Sequence, residues 1–455
     1  MSFEALRPLD AIDVEPEAPR TDSIGRGRLS LAFALVMLTI LGAAVVLGMA
    51  ASAAYLTIPF SDVHDWIGRV FATEQTHDWM GYLWQPHGNQ RIPTARALTA
   101  FDVELGRGRW PSFLLGAAFA WLLAFLALAV CLVRARYAAT TRLALALLVG
   151  MLGMNIALAE DFAFPVFSVY LLVAGPAIAA LAILPLAAAR GWRSPLFWLA
   201  LGLAWLASFG NAAGLAVWPA LIVALVLQRA GRATIGVAVA MMLACVIGLE
   251  AGLGAPSASL GNGGEGGAHF IKILSYFLIF GGLPWSRAPH PLLLQAAVGL
   301  VVWVAALMLF RRGLRTQVRE PIVVSGMALI LFGLVTAAMA SIGRVDELPQ
   351  PIVPTRYTPF ATALQIGILL AGAGLANDLR FRRPIVSAAF TAAAALLILA
   401  GTAHGMRALE RAADRIRAAS VTFDRTGTQG DVQLHPRPAV AAAVRAELAR
   451  RGLPH

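Results

Sequence analysis

Long apolar runs separated by short polar gaps dominate the pattern of the chain. The first run covers residues 29–57, and similar runs recur as far as residue 402. An apolar run of about 20 residues matches the hydrocarbon thickness of a bilayer when it folds as a helix. The pattern therefore predicts an all-α integral membrane protein with about eleven membrane-spanning helices. After the first run, the predicted spans are residues 112–133, 143–159, 165–189, 195–210, 212–228, 235–253, 291–310, 322–341, 358–376 and 385–402.

The arginines indicate how these helices are oriented. They concentrate in alternate gaps, which is the charge bias of cytoplasmic loops; these gaps are 134–142, 190–193, 229–232, 311–319 and 380–383. We therefore expect a cytoplasmic N-terminus, with residues 1–28 as a disordered tail. The transmembrane domain covers residues 29–402, and residues 403–455 form an external C-terminal tail. Residues 269–284 would break the alternation if they crossed the membrane, so they are predicted to be interfacial or re-entrant.

Composition narrows the class of protein further. Hydrophobic residues make up 59% of the 455 residues, charged residues make up 13%, and the mean hydropathy is +0.73, as is typical of a membrane protein. The formal charge of +11 does not indicate a nucleic-acid partner, because the arginines lie between spans. Lys272 is the only lysine, whereas alanine and arginine are abundant. This composition suggests a GC-rich bacterial genome, so the expected location is a bacterial inner membrane. Cys131 and Cys245 lie within apolar runs, which argues against a disulfide framework.

Residues 59–111 form the first predicted external loop. Ser61 is a favourable N-cap, and apolar residues follow it at helical spacing: Val63, Trp66, Ile67, Val70 and Phe71. This spacing predicts an amphipathic helix on the membrane surface, with Asp62, Asp65 and Arg69 on its polar face. The free N–H groups of a first helical turn favour the ionised form of a carboxylate. Asp62 is therefore a candidate general base, and the alternative is that it only completes the helix cap.

The same loop contains WQPHGNQRIP at residues 84–93, where polar side chains crowd into an apolar chain. Pro93 favours the first position of a second surface helix, so this stretch is predicted to be the turn between two such helices. A guanidinium group beside a helix start suits a phosphate, because it offers paired N–H donors. Alternatively, the arginines extend to lipid headgroups. The candidate contacts for a sugar or a phosphate are His87, Gln90, Arg91 and Arg96.

The sequence His-Asp-Trp occurs twice in the loop, at residues 64–66 and 77–79. Together with Glu74 and His87, these residues could bind a divalent cation such as Mn²⁺, Mg²⁺ or Zn²⁺. No HxxxH or HExxH spacing is present, and adjacent residues of a helix point apart. We therefore assign no metal ligand. Tryptophans that anchor the loop at the membrane interface are the alternative interpretation.

Two later segments on the predicted external side add charged candidates. Arg344 and Arg356 flank the proline-rich segment 342–357, at the mouths of two spans. Two guanidinium groups at the level of the headgroups would suit the phosphate of a lipid-linked substrate, or they could engage bulk lipid phosphates. Glu160 and Asp161, between two earlier spans, are secondary acidic candidates for catalysis.

Short motifs in these segments resemble a group of bacterial multi-spanning proteins. That group has the pattern W-x-x-H-N-E-H-R-I after its first helix. The matching residues here are Trp84, His87, Arg91 and Ile92, with Gly88, Asn89 and Gln90 in place of N-E-H. IPFSD at 58–62, NAAGLAVWP at 211–219 and TRYTPFATAL at 355–364 match further segments. These proteins resemble glycosyltransferases of the GT-C superfamily, which take sugars from polyprenyl phosphates on the outer face of the membrane.

The resemblance implies a GT-C-like fold and specific roles for several candidates. In GT-C enzymes an acidic residue early in the first external loop serves as the base, which corresponds to Asp62, with Asp65 in reserve. External arginines near late spans hold the lipid phosphate, a role that falls to Arg356 and Arg344, with Tyr357 beside them. The expected partners are a polyprenyl-phosphate-linked sugar, a glycan or lipid acceptor, and membrane lipids.

The leading hypothesis is a glycosyltransferase that moves a sugar from a polyprenyl phosphate to an acceptor outside the inner membrane. Such an enzyme requires Asp62, Arg91 and Arg356 to face one external cavity. The alternative is a transporter or a lipid-linked glycan polymerase-like protein, in which the arginines guide an anionic substrate. A transporter should contain repeats and polar breaks within its spans, and Asn211 is the single candidate break. A non-catalytic membrane scaffold is the third interpretation.

Overall fold

The computed structural model describes residues 23–88, 90–188, 190–251, 253, 266–283, 285, 292–317, 319–344, 353–377, 409–426, 434–435 and 437–454. Within these ranges the chain is helical and contains no β-strand. The helices are α1 (Ser23–Ala54), α2 (Val63–Thr76), α3 (Trp79–Trp84), α4 (Pro93–Glu104), α5 (Pro111–Arg134), α6 (Ala139–Gly153), α7 (Ala159–Ala163), α8 (Pro165–Ala187), α9 (Pro195–Ser208), α10 (Val217–Leu227), α11 (Arg232–Glu250), α12 (Gly266–Gly282), α13 (Leu292–Thr316), α14 (Pro321–Arg344), α15 (Thr358–Asn377), α16 (409–426) and α17 (Pro438–Arg450).

Eight helical segments in the described part of the chain are long and apolar enough to cross a membrane. They comprise α1, α5, α6 with α7, α8, α11, α13, α14 and α15, so the chain is an all-α, multi-pass membrane protein, as predicted. The predicted spans 195–210 and 212–228 form helices that are shorter than a bilayer core of about 30 Å. Span 385–402 lies outside the described residues. The number of eleven spans is therefore not confirmed.

The apolar segment 269–284, predicted to be interfacial or re-entrant, forms most of α12. This helix packs against α13, α14 and α15, and it buries Tyr276, Ile279 and Phe280. The indole N–H of Trp303 on α13 donates to the carbonyl of Phe277 at 2.9 Å. The segment is therefore part of the helical core.

Helix α8 lies at the centre of the core. It packs against α5, α9, α10 and α14, and most of its side chains are buried, as expected for a helix that is apolar on all sides. Its first residue is Pro165, which suits a position whose N–H has no helical acceptor. The first turns of α8 place Phe167 and Tyr170 beside the segment that precedes α15.

Helices α14 and α15 approach each other closely through glycines. A Cβ atom at Gly367 would lie 2.7 Å from the Gly326 carbonyl oxygen and 2.8 Å from the Ile330 nitrogen. Both neighbours are backbone atoms of α14, so they cannot move aside without separating the helices. Small residues that allow such contact are a common basis of helix packing in membranes.

Replacement of Gly367 by Ala is expected to destabilise the protein by about 1–3 kcal/mol, because overpacking forces the two helices apart. Gly202→Ala on α9 is the matched control, since a Cβ atom there would meet nothing within 4 Å. The thermal midpoint of the detergent-purified protein measures the effect. An equal midpoint for both variants would contradict the close contact.

The two helices predicted for the first loop are present as α2 and α4. Val63, Trp66, Ile67 and Val70 on α2 are buried, and they share a core with residues of α4, α5 and α17. The apolar face of α2 is therefore covered by protein. The C-terminal segment contributes α17, which packs on α2.

The predicted N-cap is also wrong. Ser61 has a φ of 54°, and Asp62 occupies the cap position of α2 without making a side-chain cap hydrogen bond. The backbone N–H of Ser61 instead donates to the carbonyl of Leu434, at 2.7 Å. The C-terminal segment thus fixes the backbone beside Asp62, and the Asp62 carboxylate makes contacts elsewhere.

Candidate active site

Asp62 lies at the junction between α1 and α2, close to the start of α8. The Leu56 N–H donates to the Ala163 carbonyl at 3.1 Å, and the rings of Phe60 and Phe164 are 6.5 Å apart. These contacts hold the IPFSD segment against α7 and α8. The Asp62 side chain is 44% exposed, and its Oδ2 lies 3.3 Å from Nε2 of His87. A carboxylate and an imidazole therefore meet at an open position.

The surroundings of Asp62 favour its ionised form. Burial raises the pKa of Asp62, but the hydrogen bond with His87 and the positive charges of His87, Arg356 and His435 lower it more. The net pKa lies below the ordinary value of 3.8. Asp62 is consequently a carboxylate at neutral pH, as the sequence predicted from helix position alone.

Arg356 lies on a short 3-10 helix that precedes α15, and its charge is one of those that lower the pKa of Asp62. Its guanidinium carbon lies 5.9 Å from the ring centres of Phe167, Tyr170 and Tyr357. Such cation–π contacts orient the planar group without neutralising its charge. The aromatic rings therefore help to fix the position of the guanidinium group.

Tyr170 on α8 lies beside two of the candidate residues. The guanidinium carbon of Arg356 lies 5.9 Å from the centre of the Tyr170 ring, and the ring of Tyr357 lies 5.4 Å from it. Both residues belong to the segment around the start of α15. Sequence reasoning missed Tyr170, because one hydroxyl within an apolar run gives no functional signal.

The secondary acidic candidates lie in α7, beside this group. The Thr355 hydroxyl donates to Oε2 of Glu160 at 2.5 Å, which ties α7 to the residue next to Arg356. Asp161 is completely buried. Glu160 is thus part of the wall of the site, whereas Asp161 is inaccessible to a substrate.

Residues 84–93 attach the first loop to the rest of the bundle. Arg91 donates from Nε to the Trp84 carbonyl at 2.7 Å and from Nη1 to the Leu249 carbonyl at 2.5 Å. Leu249 lies in the last turn of α11, where a cation is favoured by the helix dipole. The side-chain oxygen Oε1 of Gln90 accepts a hydrogen bond from the Ala212 N–H at 2.9 Å. Arg91 and Gln90 therefore have structural partners, while His87 reaches Asp62.

Arg96 lies beneath this turn with no exposed surface. Its Nη1 donates to the Tyr82 carbonyl at 2.8 Å, and its Nη2 donates to the Pro86 carbonyl at 3.1 Å. Burial lowers the pKa of Arg96 to about 10, which still leaves the group charged at neutral pH. The structure thus places Arg96 as an internal support of the turn, out of reach of a substrate.

Asp65 pairs with the C-terminal segment. Its oxygens lie 3.2 Å from Nε2 of His435 and 2.5 Å from Nη2 of Arg437. Burial raises the pKa of Asp65, but hydrogen bonds from Arg437 and His435 lower it more, so the net pKa is below its ordinary value. Asp65 is occupied by these partners, which leaves Asp62 as the more accessible carboxylate.

The two His-Asp-Trp sequences have different structural roles. In the first, His64 and Trp66 are buried. In the second, His77 ends α2 with a φ of 57°, and Asp78 caps α3 by accepting the Gly81 N–H at 2.8 Å. Among the described residues, no group of three or more histidine, cysteine, aspartate or glutamate side chains is arranged to hold a metal ion. The repeated sequence therefore does not assemble into one site there.

His64 gives the protein a pH-dependent stability. The ring is buried beside His435, Asp65 and Arg445, and burial lowers the pKa of His64 to about 4 from an ordinary 6.5. Between these values the unfolded chain binds a proton that the folded chain excludes, so stability falls as the pH drops through this window. The full loss is about 3 kcal/mol.

We expect the thermal midpoint to fall between pH 7 and pH 5, and His64→Leu to reduce this fall. His77→Asn, at an exposed position that tolerates positive φ, should keep the wild-type pH dependence. An unchanged dependence in His64→Leu would show that another group is responsible.

The candidate site groups the Asp62–His87 pair with Arg356, Tyr170 and Tyr357, and Arg344 at the end of α14 stays a predicted member. The elements that carry them are separated by up to about 300 residues in sequence. The site contains an ionised carboxylate and a guanidinium group that is surrounded by aromatic rings. No protein-family model, curated protein or solved structure matches the chain.

Proposed function

We propose that the chain is a membrane glycosyltransferase with a GT-C-like fold of about eleven spans. It moves a sugar from a polyprenyl phosphate to a glycan or lipid acceptor on the external face of a bacterial inner membrane. The observation that carries this proposal is the His87–Asp62 pair opposite Arg356. The acceptor hydroxyl requires a carboxylate that takes its proton. The departing phosphate requires a guanidinium group that stabilises its negative charge.

In the proposed reaction, the acceptor hydroxyl donates a hydrogen bond to Asp62 and its oxygen attacks the anomeric carbon. The bond from the anomeric carbon to the phosphate oxygen breaks, and its electron pair stays on the phosphate. Asp62 takes the hydroxyl proton late in this step, because a carboxylate of low pKa is a weak base that acts only once the oxygen has become acidic. His87 holds the carboxylate in the orientation for this transfer.

Arg356 stabilises the phosphate as its negative charge increases. The three aromatic rings around it fix the plane of the guanidinium group, so little reorganisation is needed during the reaction. Arg344 lies at the end of α14 and acts on the same region. The two arginines together suit a lipid phosphate at the boundary of the membrane.

Arg356→Ala tests this assignment. Membranes that contain the variant are supplied with a panel of radiolabelled polyprenyl-phosphate hexoses and pentoses, and labelled glycan or glycolipid is measured. We expect a loss of about 100-fold to 1,000-fold in rate, because charge stabilisation is removed from the breaking bond. Arg356→Lys should recover part of the rate, since it keeps the charge but loses the planar donor pair.

Arg315→Ala, at an exposed arginine in the last turn of α13, is the control and should transfer sugar at the wild-type rate. Wild-type transfer by Arg356→Ala would refute the proposed role. Movement of the labelled lipid across the membrane without sugar transfer would instead favour a transporter.

A further inference from the structure

A cavity of about 910 Å³ lies between the turn that precedes α5 and the C-terminal end of α17. Arg107 and Arg109 form one wall with Ile58, and Arg451, Leu453 and Pro454 form the other. The residues that line it are distinct from Asp62, His87 and Arg356. Its volume lies within the range of small-molecule sites, about 300–1,000 Å³.

The turn that carries the two arginines is strained and rigid. Arg107, Gly108 and Trp110 have φ values of 51°, 67° and 59°, and a non-glycine residue in this region costs about 1 kcal/mol or more. Buried Trp110 anchors the turn, since its indole N–H donates to the Thr57 carbonyl at 2.9 Å. The Tyr55 hydroxyl lies 2.9 Å from the carbonyls of Arg109 and Trp110. Strain that neighbouring contacts maintain is typical of functional segments.

The positive charge of the turn is not compensated. Within the described residues, the side chains of Arg107 and Arg109 make no hydrogen bond or ion pair, and both residues are exposed. Arg451 differs, because it lies 2.6 Å from Glu74 and 2.7 Å from Glu447. One wall of the cavity therefore carries two guanidinium groups that remain available to an anion.

The position of the turn next to a candidate membrane span indicates that the anion bound by Arg107 and Arg109 is a lipid phosphate. The turn leads directly into α5, a candidate membrane span that begins at Pro111. Leu115, Phe119 and Leu122 on α5 are exposed apolar residues, so this face is directed toward lipid chains. In a bilayer crossed by α5, Arg107 and Arg109 would therefore lie near the level of the lipid phosphates.

We propose that this cavity binds the phosphate group of an anionic membrane lipid, with Arg107 and Arg109 as the phosphate ligands. Guanidinium groups recognise phosphate through paired N–H donors as well as charge. The apolar face of α5 would accommodate the acyl chains, and Arg451, Leu453 and Pro454 would close the far side. The site is independent of the proposed sugar transfer.

The test measures lipid binding by the full chain in detergent, using native mass spectrometry. The ligands are phosphatidylglycerol, zwitterionic phosphatidylcholine and inorganic phosphate. We expect tighter binding of phosphatidylglycerol than of phosphatidylcholine, and a loss of at least about 10-fold in affinity in R107Q/R109Q. R107K/R109K should fall between that variant and the wild type.

R415Q/R425Q is the matched control, because it removes two exposed arginines of α16 that do not line the cavity. It should bind phosphatidylglycerol as the wild type does. If inorganic phosphate displaces the lipid, the same arginines hold a soluble phosphate. Wild-type affinity in R107Q/R109Q, or an equal loss in the control, would overturn the proposal. The thermal midpoint without lipid verifies that the variants fold.

Discussion

Asp62→Asn is expected to reduce sugar transfer by about 100-fold to 10,000-fold, the usual contribution of a positioned general base. The substitution keeps the size and the position of the side chain but removes its negative charge. An amide cannot take the proton of the acceptor hydroxyl, and it cannot balance the charge of Arg356. The hydrogen bond with His87 can persist through the amide oxygen, so the structure of the loop should be retained.

The measurement is the initial rate of labelled sugar transfer in membranes, with protein quantified by immunoblot. Asp414→Asn, on the exposed surface of α16 with 72% of its side chain accessible, serves as the control for the loss of one carboxylate. If Asp62→Asn transfers sugar as fast as Asp414→Asn, Asp62 is not the base. Inactivity of Glu160→Gln with full activity of Asp62→Asn would move the role to α7.

Arg96→Met is expected to destabilise the protein by about 2–4 kcal/mol. The buried guanidinium group satisfies the carbonyls of Tyr82 and Pro86, and it lies 5.3 Å from the centre of the Tyr82 ring. Methionine fills much of the space but provides no donor, so the Pro86 carbonyl loses the hydrogen bond from Arg96 and the Tyr82 carbonyl keeps only the 3.4 Å hydrogen bond from the Gln85 N–H. The turn of residues 84–93 should then loosen, and His87 should lose its fixed position near Asp62.

The thermal midpoint and the rate of proteolysis within residues 84–93 report this change. Arg69→Met on α2 is the matched control, because Arg69 is only partly buried. A midpoint for Arg96→Met within about 1 °C of that control would correspond to about 1 kcal/mol or less for a chain of this length, and it would show that the buried contacts contribute little.

The sequence pattern predicted the helices well but not what covers them. The apolar runs and the spacing of Val63, Trp66, Ile67 and Val70 predicted helices that are present. The same spacing could not distinguish lipid from protein as the partner of that face. The partners are α4, α5 and α17. Helix α17 lies more than 360 residues later in the chain, and no local property of α2 identifies it.

For the candidate site, the sequence identified the charged groups but not their contacts. Asp62 was selected for its place at a helix start, and Arg344 and Arg356 for their place at the mouths of two spans. In the structure His87 lies against Asp62, and the charge of Arg356 lowers the pKa of Asp62. Arg91 and Arg96 were selected because they lie near the start of the second helix, yet they donate to backbone carbonyls. A sequence reveals side-chain donors, whereas backbone acceptors become visible only in the folded chain.

The contact between α17 and α2 imposes an order on the biogenesis of the protein. The ribosome completes α2 early, but Leu434 and Val444, which contact the Ser61 backbone and the apolar face of α2, are made more than 360 residues later. Until they arrive, α2 lacks its contacts with α17, and the backbone beside Asp62 lacks its native acceptor. Insertion of the earlier helices can therefore precede maturation of the site, which is completed only when the segment around α17 packs against α2.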